Sequence, residues 1–533
     1  MTRVVLLGAP PGPISPPPPG GQPALPADIT LKSLPGAPSA YDRLLAQAAA
    51  LDPEPTTIAR PWDAAAYRGP YGRVVESPDV AGDLRALADA VEDAEENLLI
   101  LPADSLVHDE LIYQITKAKR GAIALVVRQQ REELDEDAPP VEEEVPIEEA
   151  EPEIGDKVIE GLPQRTRIGR SRIVSVGTAY HAVTRPNAAL LGPLHLHQRH
   201  LQTLAEVARE LADMAHLFGP EDDVTELLVL GLVRRGVSVG RRGRRDLFFR
   251  RVHSQAEADE ALTEMADYNE DRARLKNAVK GADGFFTTFF VSTYSRFIAR
   301  WAARRGLTPN QVTLISIALG LLSAGAFATG TRWGAVAGAV LIYFAFVFDC
   351  VDGQLARYAR KFGVLGAWLD ATFDRFKEYA VFVGLAVGAT VSGQFGDGEG
   401  VWTLALVAIA LQSVKHLLDF SFGAANRRKA PVPLPTLDLT VADDRPLREA
   451  LEERRASRST GVRGLLKLWT KAGKFRPVHW ARKMIVFPIG ERFAAIAITA
   501  AFFNPRVTFL TLIVWGGVAA TYTLTGRLLR SLA

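Results

Sequence analysis

The sequence contains a single cysteine, Cys350, among its 533 residues. One cysteine excludes an internal disulfide, so cysteine usage gives no sign of an oxidising compartment. A nucleophilic thiol would also need a base, and no neighbour of Cys350 supplies one. We therefore interpret Cys350 as a small apolar side chain.

An excess of charge of either sign is also absent. Lys and Arg number 62 against 61 Asp and Glu, which gives a net charge of +1. Without a globally basic field the chain cannot collect phosphates along a nucleic acid, so we expect no nucleic-acid partner. The charges are unevenly placed, however, and residues 131–156 combine dense negative charge with proline. Self-repulsion and lack of apolar burial predict a disordered insertion in this segment.

The N-terminus lacks the pattern of a signal peptide, because the apolar run in MTRVVLLGAPPGP is short and is stopped by proline. Short apolar runs then alternate with segments of helical periodicity, which is typical of parallel strands joined by crossover helices. The sequence therefore predicts a cytoplasmic α/β domain over residues 1–255. Its strand-like runs are VVLLG, TTIAR, NLLILP, AIALVV, RIVSVG and DLFFRRV.

Three histidines, His195, His197 and His200, lie close together in LHLHQRH. Alternate spacing can place two imidazoles on one face of a strand, yet no carboxylate or cysteine completes a metal shell nearby. We expect a surface or partly buried cluster without a metal.

Residues 256–308 are predicted to connect the α/β domain to a membrane part. The stretch 252–281 is predicted to be one long charged helix. Residues 283–306 combine aromatic side chains with arginines, the pattern of an amphipathic helix at a lipid interface. Thr308 and Asn310 are suited to cap the helix that follows, and Pro309 to occupy its first turn. The interfacial arginines are Arg296, Arg300, Arg304 and Arg305.

Residues 309–533 contain long apolar segments and are predicted to form an all-α bundle of six transmembrane helices. Positive residues cluster on alternate sides of these segments, which places both termini and the loop after the second span in the cytoplasm. The basic loop 425–486 is expected to lie on the membrane surface. The six predicted spans are 309–329, 332–351, 363–391, 401–424, 487–503 and 505–526.

The stretch from Asp349 to Asp374, DCVDGQLARYARKFGVLGAWLDATFD, interrupts this apolar region. On one helix, two carboxylates and a guanidinium share an arc of roughly 140° with two residues that have almost no side chain. After a short basic break, a glycine and two carboxylates repeat every four residues on a second helix. The first set is Asp349, Asp352, Gly353, Ala356 and Arg357; the second is Gly366, Asp370 and Asp374.

Four carboxylates between lipid-compatible flanks are costly, since an ionisable residue deep in a membrane helix costs roughly 2.5–3.5 kcal/mol or more. Arg357 can neutralise only one of them. Oxygen ligands without nearby histidine or cysteine select hard cations, Mg²⁺ first and Mn²⁺ or Ca²⁺ next. Two such ions can stabilise the attacking and leaving oxygens of a phosphoryl transfer.

These eight positions resemble the signature of the CDP-alcohol phosphotransferases, Asp-x2-Asp-Gly-x2-Ala-Arg-x8-Gly-x3-Asp-x3-Asp, and complete it. The resemblance implies two Mg²⁺ or Mn²⁺ ions held by Asp349, Asp352 and Asp370, with Asp374 completing the site and acting as general base. It also implies that Gly353 and Ala356 leave room for cytidine, that Arg357 meets the diphosphate and that Gly366 permits close approach. A homodimer in the lipid bilayer is implied as well.

The N-terminal half resembles a nucleotidyltransferase of the sugar-nucleotide type, which implies a Rossmann-like α/β fold. Asp104 in LILPADS corresponds to the first metal-binding Asp of that family. The second metal Asp would fall in FFRRVHS, where Arg251 or His253 stands instead, and the loop from Gly8 to Pro26 has no basic residue to hold a triphosphate. We therefore expect this half to be a scaffold without nucleotidyltransferase activity.

The sequence thus predicts a multidomain membrane enzyme that moves a substituted phosphate group from a CDP-alcohol to an acceptor alcohol and releases CMP. One alternative is a bifunctional chain, similar to inositol-phosphate cytidylyltransferase fused to di-inositol-phosphate-phosphate synthase. A remote alternative is an ion transporter. The sequence does not identify the donor alcohol or the acceptor alcohol, because the signature recognises the CDP group that all CDP-alcohol donors share.

Overall fold

The computed structural model describes residues 2–8, 25–117, 121–128, 164–169, 172–219, 222–280, 283–393, 399–428, 434–456 and 475–532. The acidic segment 131–156 and most of the proline-rich loop after Gly8 lie outside the described residues. The chain divides into two compact units. The first contains the described residues up to Glu270 and those of Pro431–Ser459, and the second contains the described residues of Asp271–Ala430 and Thr460–Ala533.

The first unit is built on a nine-stranded mixed sheet with the strand order β3-β2-β1-β4-β9-β6-β10-β8-β7. Strands β3, β2, β1 and β4 are mutually parallel, as the alternating sequence pattern predicts. A separate antiparallel pair joins β11 to β5. The strands are β1 Thr2–Leu7, β2 Thr56–Ala59, β3 Arg73–Glu76, β4 Asn97–Pro102, β5 Ser105–Val107, β6 Ala122–Arg128, β7 Thr166–Gly169, β8 Arg172–Val176, β9 Ala188–Leu196, β10 Val239–Arg242 and β11 Phe249–Arg251.

Strand β9 lies in the middle of this sheet and runs antiparallel to both β4 and β6. It contains His195, whose side chain is fully buried and whose two ring nitrogens have no hydrogen-bonding partner among the described residues. Burial, followed by the charge of His197, lowers the pKa of His195 to about 4, so this imidazole is neutral near pH 7. His197 lies after the strand, where its Nδ1 accepts a hydrogen bond from the Arg199 backbone N–H at 3.3 Å.

Amphipathic helices cover the sheet, and their apolar faces form its core. Helix α1 begins after Ser39, whose side chain accepts from the backbone N–H of Asp42, and α2 begins after Asp79 in the same way. The helices of the first unit are α1 Ala40–Ala49, α2 Val80–Glu92, α3 Asp109–Thr116, α4 Leu201–Asp213, α5 Val224–Arg234 and α6 Gln255–Ala266. The next helix, α7, covers Glu270–Asn277, so the single long helix predicted for 252–281 was wrong.

The segment 434–456 belongs to the first unit although it follows the fourth predicted span. Leu434, Leu439 and Leu447 are buried in the core of the α/β unit. The Leu437 N–H donates to the Arg234 carbonyl at 2.8 Å, and Thr184 Oγ1 donates to an Asp444 carboxylate oxygen at 2.8 Å. The expectation of a membrane-surface loop is therefore wrong for this segment, which contains helix α13, Arg445–Ala456.

The second unit is helical, and every predicted span falls on a helix. Helix α9 begins with the predicted cap: Thr308 and Gln311 form a reciprocal capping box, with Pro309 in the first turn. Before it, a π-helical turn at Thr287–Val291 leads into α8. The helices are α8 Ser292–Arg304, α9 Pro309–Ala328, α10 Arg332–Tyr358, α11 Val364–Val391, α12 Glu399–Arg428, α14 Arg476–Ile485, α15 Ile489–Phe502 and α16 Pro505–Leu532.

Four described helices, α9, α10, α12 and α16, are long and apolar enough to cross a membrane. Helices α14 and α15, bent by 74° at the break between them, make a fifth if they count as one span. Helix α11 is long, but its sequence carries several charged residues between Asp370 and Glu378. The structure therefore supports a multi-pass helical unit without fixing the number of spans at six.

Candidate active site

The carboxylates of the signature lie at a hairpin between α10 and α11. Helix α10 ends at Tyr358, and Arg360 adopts a positive φ of 55°, which reverses the chain before α11 begins at Val364. The first carboxylate pair is thus carried by the last turns of one helix and the second pair by the first turns of the next. This geometry agrees with the helix–break–helix pattern predicted from the sequence.

Asp349, Asp352 and Asp370 form a compact group, in which one carboxylate oxygen of each lies within 4.8 Å of the others. Thr313 of α9 donates its hydroxyl to Asp352 Oδ2 at 2.6 Å and so fixes the orientation of that buried side chain. Three carboxylate oxygens at such separations fit a hard divalent cation, because Mg²⁺ and Mn²⁺ prefer oxygen ligands at short distances. The three carboxylates come from two helices, α10 and α11, which the hairpin holds together.

Asp374, the fourth carboxylate, is engaged differently. Its Oδ1 lies 3.1 Å from the ammonium of Lys377, three residues later on α11. The same ammonium donates to Asp349 Oδ1 at 2.5 Å and to the Ser316 hydroxyl at 2.8 Å. Lys377 is therefore a second neutralising cation beside Arg357, and it was not predicted from the sequence. Its spacing from Asp374 was the available signal, since residues three apart share a helix face.

Arg357 lies beside Gly353. Its Nε donates to the Ala278 carbonyl, and a Cβ placed on Gly353 would lie 3.3 Å from Arg357 Nη1. Gly366 is similarly crowded, because a Cβ there would come within 2.7 Å of Asn310 Oδ1. Both glycines therefore permit close approach of a neighbouring polar group, whereas the cytidine and diphosphate contacts stay predictions.

A second buried ionic group lies on the same helix. Glu378 of α11 forms a two-pronged pair with Arg492 of α15, at 2.8 Å and 3.1 Å, and both side chains are almost fully buried. His416 Nε2 of α12 lies 3.8 Å from Glu378. Lys415, also of α12, donates to the Val486 carbonyl at 2.5 Å. These contacts connect α11 to α12 and α15 one helical turn beyond Asp374.

In the first unit, Asp104 follows strand β4 and is buried. Its carboxylate accepts two hydrogen bonds from Arg251 Nε, at 2.8 Å and 3.0 Å, and lies 3.1 Å from His253 Nε2. Burial alone would raise the pKa of Asp104, but Arg251 and His253 hold that pKa below its ordinary value. Arg251 also donates to Asp223 at 2.5 Å. Both basic residues that replace the expected second carboxylate therefore pair directly with the first.

Comparison with known families supports the class of enzyme that the hairpin suggests. Residues 306–441 match the family model of CDP-alcohol phosphatidyltransferase, and this match covers α9, α10 and α11 with the whole signature. The chain therefore contains a CDP-alcohol phosphatidyltransferase domain in its C-terminal region.

Several characterised proteins are similar to parts of the chain. Archaetidylinositol phosphate synthase of Pyrococcus horikoshii is 36% identical over 94 residues, which cover 18% of this chain and 48% of that protein. Bifunctional IPC transferase and DIPP synthase of Aquifex aeolicus is 30% identical over 122 residues, covering 23% and 27%. Phosphatidylinositol phosphate synthase of Mycolicibacterium smegmatis is 42% identical over 92 residues, covering 17% and 40%. The chain spans less than half the length of each of these relatives.

Two solved structures align with larger parts of the chain. Phosphatidylinositol phosphate synthase of Mycobacterium tuberculosis has a TM-score of 0.27 and 23% identity, over 43% of this chain and 92% of that one. The inositol-1-phosphate CTP transferase from T. maritima has a TM-score of 0.31 and 11% identity, over 50% of this chain and 96% of that one.

Proposed function

We propose that this protein is a multi-pass membrane enzyme that transfers a substituted phosphate group from a CDP-alcohol to the hydroxyl of an acceptor alcohol and releases CMP. The observation that carries the proposal is the complete eight-position signature, folded so that Asp349, Asp352 and Asp370 converge. Such a reaction belongs to phospholipid or polar phosphodiester biosynthesis.

In this proposal, Asp349, Asp352 and Asp370 hold a divalent cation, Mg²⁺ or Mn²⁺. A cation bound there would offset the charge that develops on the leaving CMP. Gly353 and Ala356 leave space for the cytidine, and Arg357 binds the diphosphate through the guanidinium nitrogens that do not contact Ala278. Asp374 accepts the proton of the acceptor hydroxyl as that oxygen attacks phosphorus. Gly366 lets α11 approach Asn310 of α9.

We further propose that the six predicted spans, which fall on α9, α10, α11, α12, α15 and α16, cross or enter the membrane. We also propose that the α/β unit and the carboxylate hairpin face the cytoplasm. The distribution of Lys and Arg supports this orientation. Aromatic side chains around α8, including Phe290 and Trp301, are more than half exposed, as expected of a helix at the lipid interface. A homodimer in the bilayer also belongs to the proposal.

The donor and acceptor are proposed by class. The relatives named archaetidylinositol phosphate synthase and phosphatidylinositol phosphate synthase favour an inositol phosphate or similar polyol phosphate as acceptor, with CDP-diacylglycerol or a soluble CDP-alcohol as donor. The test is CMP release by the purified full-length protein with a panel of donors and acceptors. Release with none of the pairs in the presence of Mg²⁺ or Mn²⁺ would contradict the proposed reaction.

Replacement of Asp374 by Asn is expected to lower kcat by about 10²–10³-fold while changing KM for the CDP-alcohol much less. The reason is that a general base acts on the acceptor in the transition state, whereas donor binding does not need it. Steady-state kinetics with both substrates varied separately would measure the two constants. An unchanged kcat with a raised donor KM would instead make Asp374 part of donor binding.

The bifunctional alternative is favoured by the Aquifex aeolicus relative, which combines two activities in its name. Against it stands the contact of Asp104 with Arg251 and His253, because a carboxylate already paired with a guanidinium and in contact with an imidazole is a poor ligand for a nucleotide-bound metal ion. We therefore propose that the α/β unit is a scaffold for the membrane unit and does not make the CDP-alcohol.

The full-length protein is accordingly expected to release no pyrophosphate from CTP, Mg²⁺ and a panel of alcohol phosphates. The full chain is needed because the segment 434–456 contributes to the core of the α/β unit. An Asp104→Ala variant is the control for specificity. Sustained pyrophosphate release that this substitution removes would establish the bifunctional alternative.

A further inference from the structure

Lys377 is completely buried inside the helical unit, at 0% exposure. Its ammonium lies among three polar groups from three helices: Ser316 of α9, Asp349 of α10 and Asp374 of α11. The neighbouring helix makes room for its stem, because a Cβ on Gly320 of α9 would lie 2.8 Å from Lys377 Cγ. The lysine therefore occupies a place shaped for it, between the first and fourth carboxylates of the signature.

We propose that the Lys377 ammonium is a permanent cation of the active site and takes the place of a second divalent ion. The inference rests on the proposed function and deepens it. The site then holds one divalent ion, at Asp349, Asp352 and Asp370, instead of the two that the family resemblance implies.

Charge and geometry both support one ion. The four carboxylates are balanced by Lys377, Arg357 and one divalent cation, whereas a second divalent cation would leave the site doubly positive before substrate binds. An ion between Asp349 and Asp374 would also compete for the oxygens that Lys377 contacts at 2.5 Å and 3.1 Å, and it would lie against a like charge. One carboxylate oxygen of Asp349 lies within 4.8 Å of oxygens of Asp352 and Asp370, so Asp349 belongs to that group while it also contacts Lys377.

The arrangement separates the roles of the carboxylates. Asp374 does not belong to the three-carboxylate group and lies 3.1 Å from the Lys377 ammonium, so Asp374 serves as the base for the acceptor hydroxyl and is not a metal ligand. Lys377 itself is a positioning residue, since it acts through Asp349 and Asp374.

The experiment is Mn²⁺ titration of the full-length protein in detergent, followed by electron paramagnetic resonance. The wild type is expected to bind one tight Mn²⁺ per chain without the spectral signature of a coupled pair. Lys377→Met removes the charge and keeps an unbranched stem, and it is expected to bind a second Mn²⁺ with detectable coupling. Asp370→Asn should lose the single ion, which locates it.

Two further variants keep the inference falsifiable if Lys377→Met fails to fold. Lys415→Met, the matched control at another buried lysine, should keep one ion, and so should Asp374→Asn. Two coupled ions in the wild type, or loss of an ion in Asp374→Asn, would overturn the inference. Binding of one ion without any CMP release would instead reject the proposed function while leaving the ion count intact.

Discussion

Replacement of Asp370 by Asn is expected to reduce CMP release by on the order of 10³-fold or more. Removing one of three converging carboxylates weakens binding of the divalent cation that would stabilise the leaving group. Asp370 is the cleanest of the three positions to change. Asp349 also contacts Lys377, and Asp352 also accepts a hydrogen bond from Thr313, so substitutions there disturb additional partners. The amide of Asn keeps the shape of the side chain and removes its charge.

The measurement is CMP release at saturating Mg²⁺, with chelator added and then removed by excess metal. Chelator is expected to abolish the activity of the wild type, and Mg²⁺ or Mn²⁺ to restore it. Asp419→Asn is the matched control, since Asp419 is a half-exposed carboxylate of α12 that pairs with Arg527 away from the signature. Full activity of Asp370→Asn, or of the wild type in chelator, would contradict the metal-dependent proposal.

The proximity of these carboxylates was predictable from the sequence because its determinants are local. Helical periodicity alone places Asp349 beside Asp352 and Asp370 beside Asp374, and the short basic break between them allows only a hairpin. In the structure, three of the four predicted carboxylates have oxygens within 4.8 Å of one another. The same periodicity places Lys377 near Asp374, because residues three apart share a helix face, but periodicity alone does not show that its ammonium also reaches Asp349.

Contacts between distant parts of the chain were not predictable in this way. Strand β9 is inserted antiparallel between β4 and β6, and no local pattern distinguishes it from a strand at the edge of the sheet. The segment 434–456 is polar and follows a membrane helix, so its composition favoured a surface loop. Only the tertiary structure shows that three leucines, Leu434, Leu439 and Leu447, fill the core of the α/β unit.

The Glu378–Arg492 pair is the clearest long-range contact that the sequence could not supply, since the two residues are 114 positions apart. Each is nearly fully buried, and Arg492 also donates to the Phe487 carbonyl at 3.0 Å. A buried ion pair adds little net stability by itself, because desolvation of both charges offsets their attraction. Loss of one partner is much more costly, since the other charge remains buried without compensation.

Arg492→Leu is therefore expected to destabilise the protein by about 3–5 kcal/mol, by leaving the Glu378 carboxylate uncompensated. The ion pair joins α11 to α15, so the backbone amides of these two helices are expected to show faster hydrogen exchange before those of other helices. Thermal unfolding in detergent and peptide-resolved hydrogen exchange would measure both effects.

Two controls separate the buried charge from other causes. The double variant Glu378→Leu with Arg492→Leu should recover much of the lost stability, because no charge of the pair is then left unpaired. Arg85→Leu, which removes an exposed pair with Asp213, should change stability little. A double variant as unstable as Arg492→Leu alone would show that packing around the arginine, and not the buried charge, carries the effect.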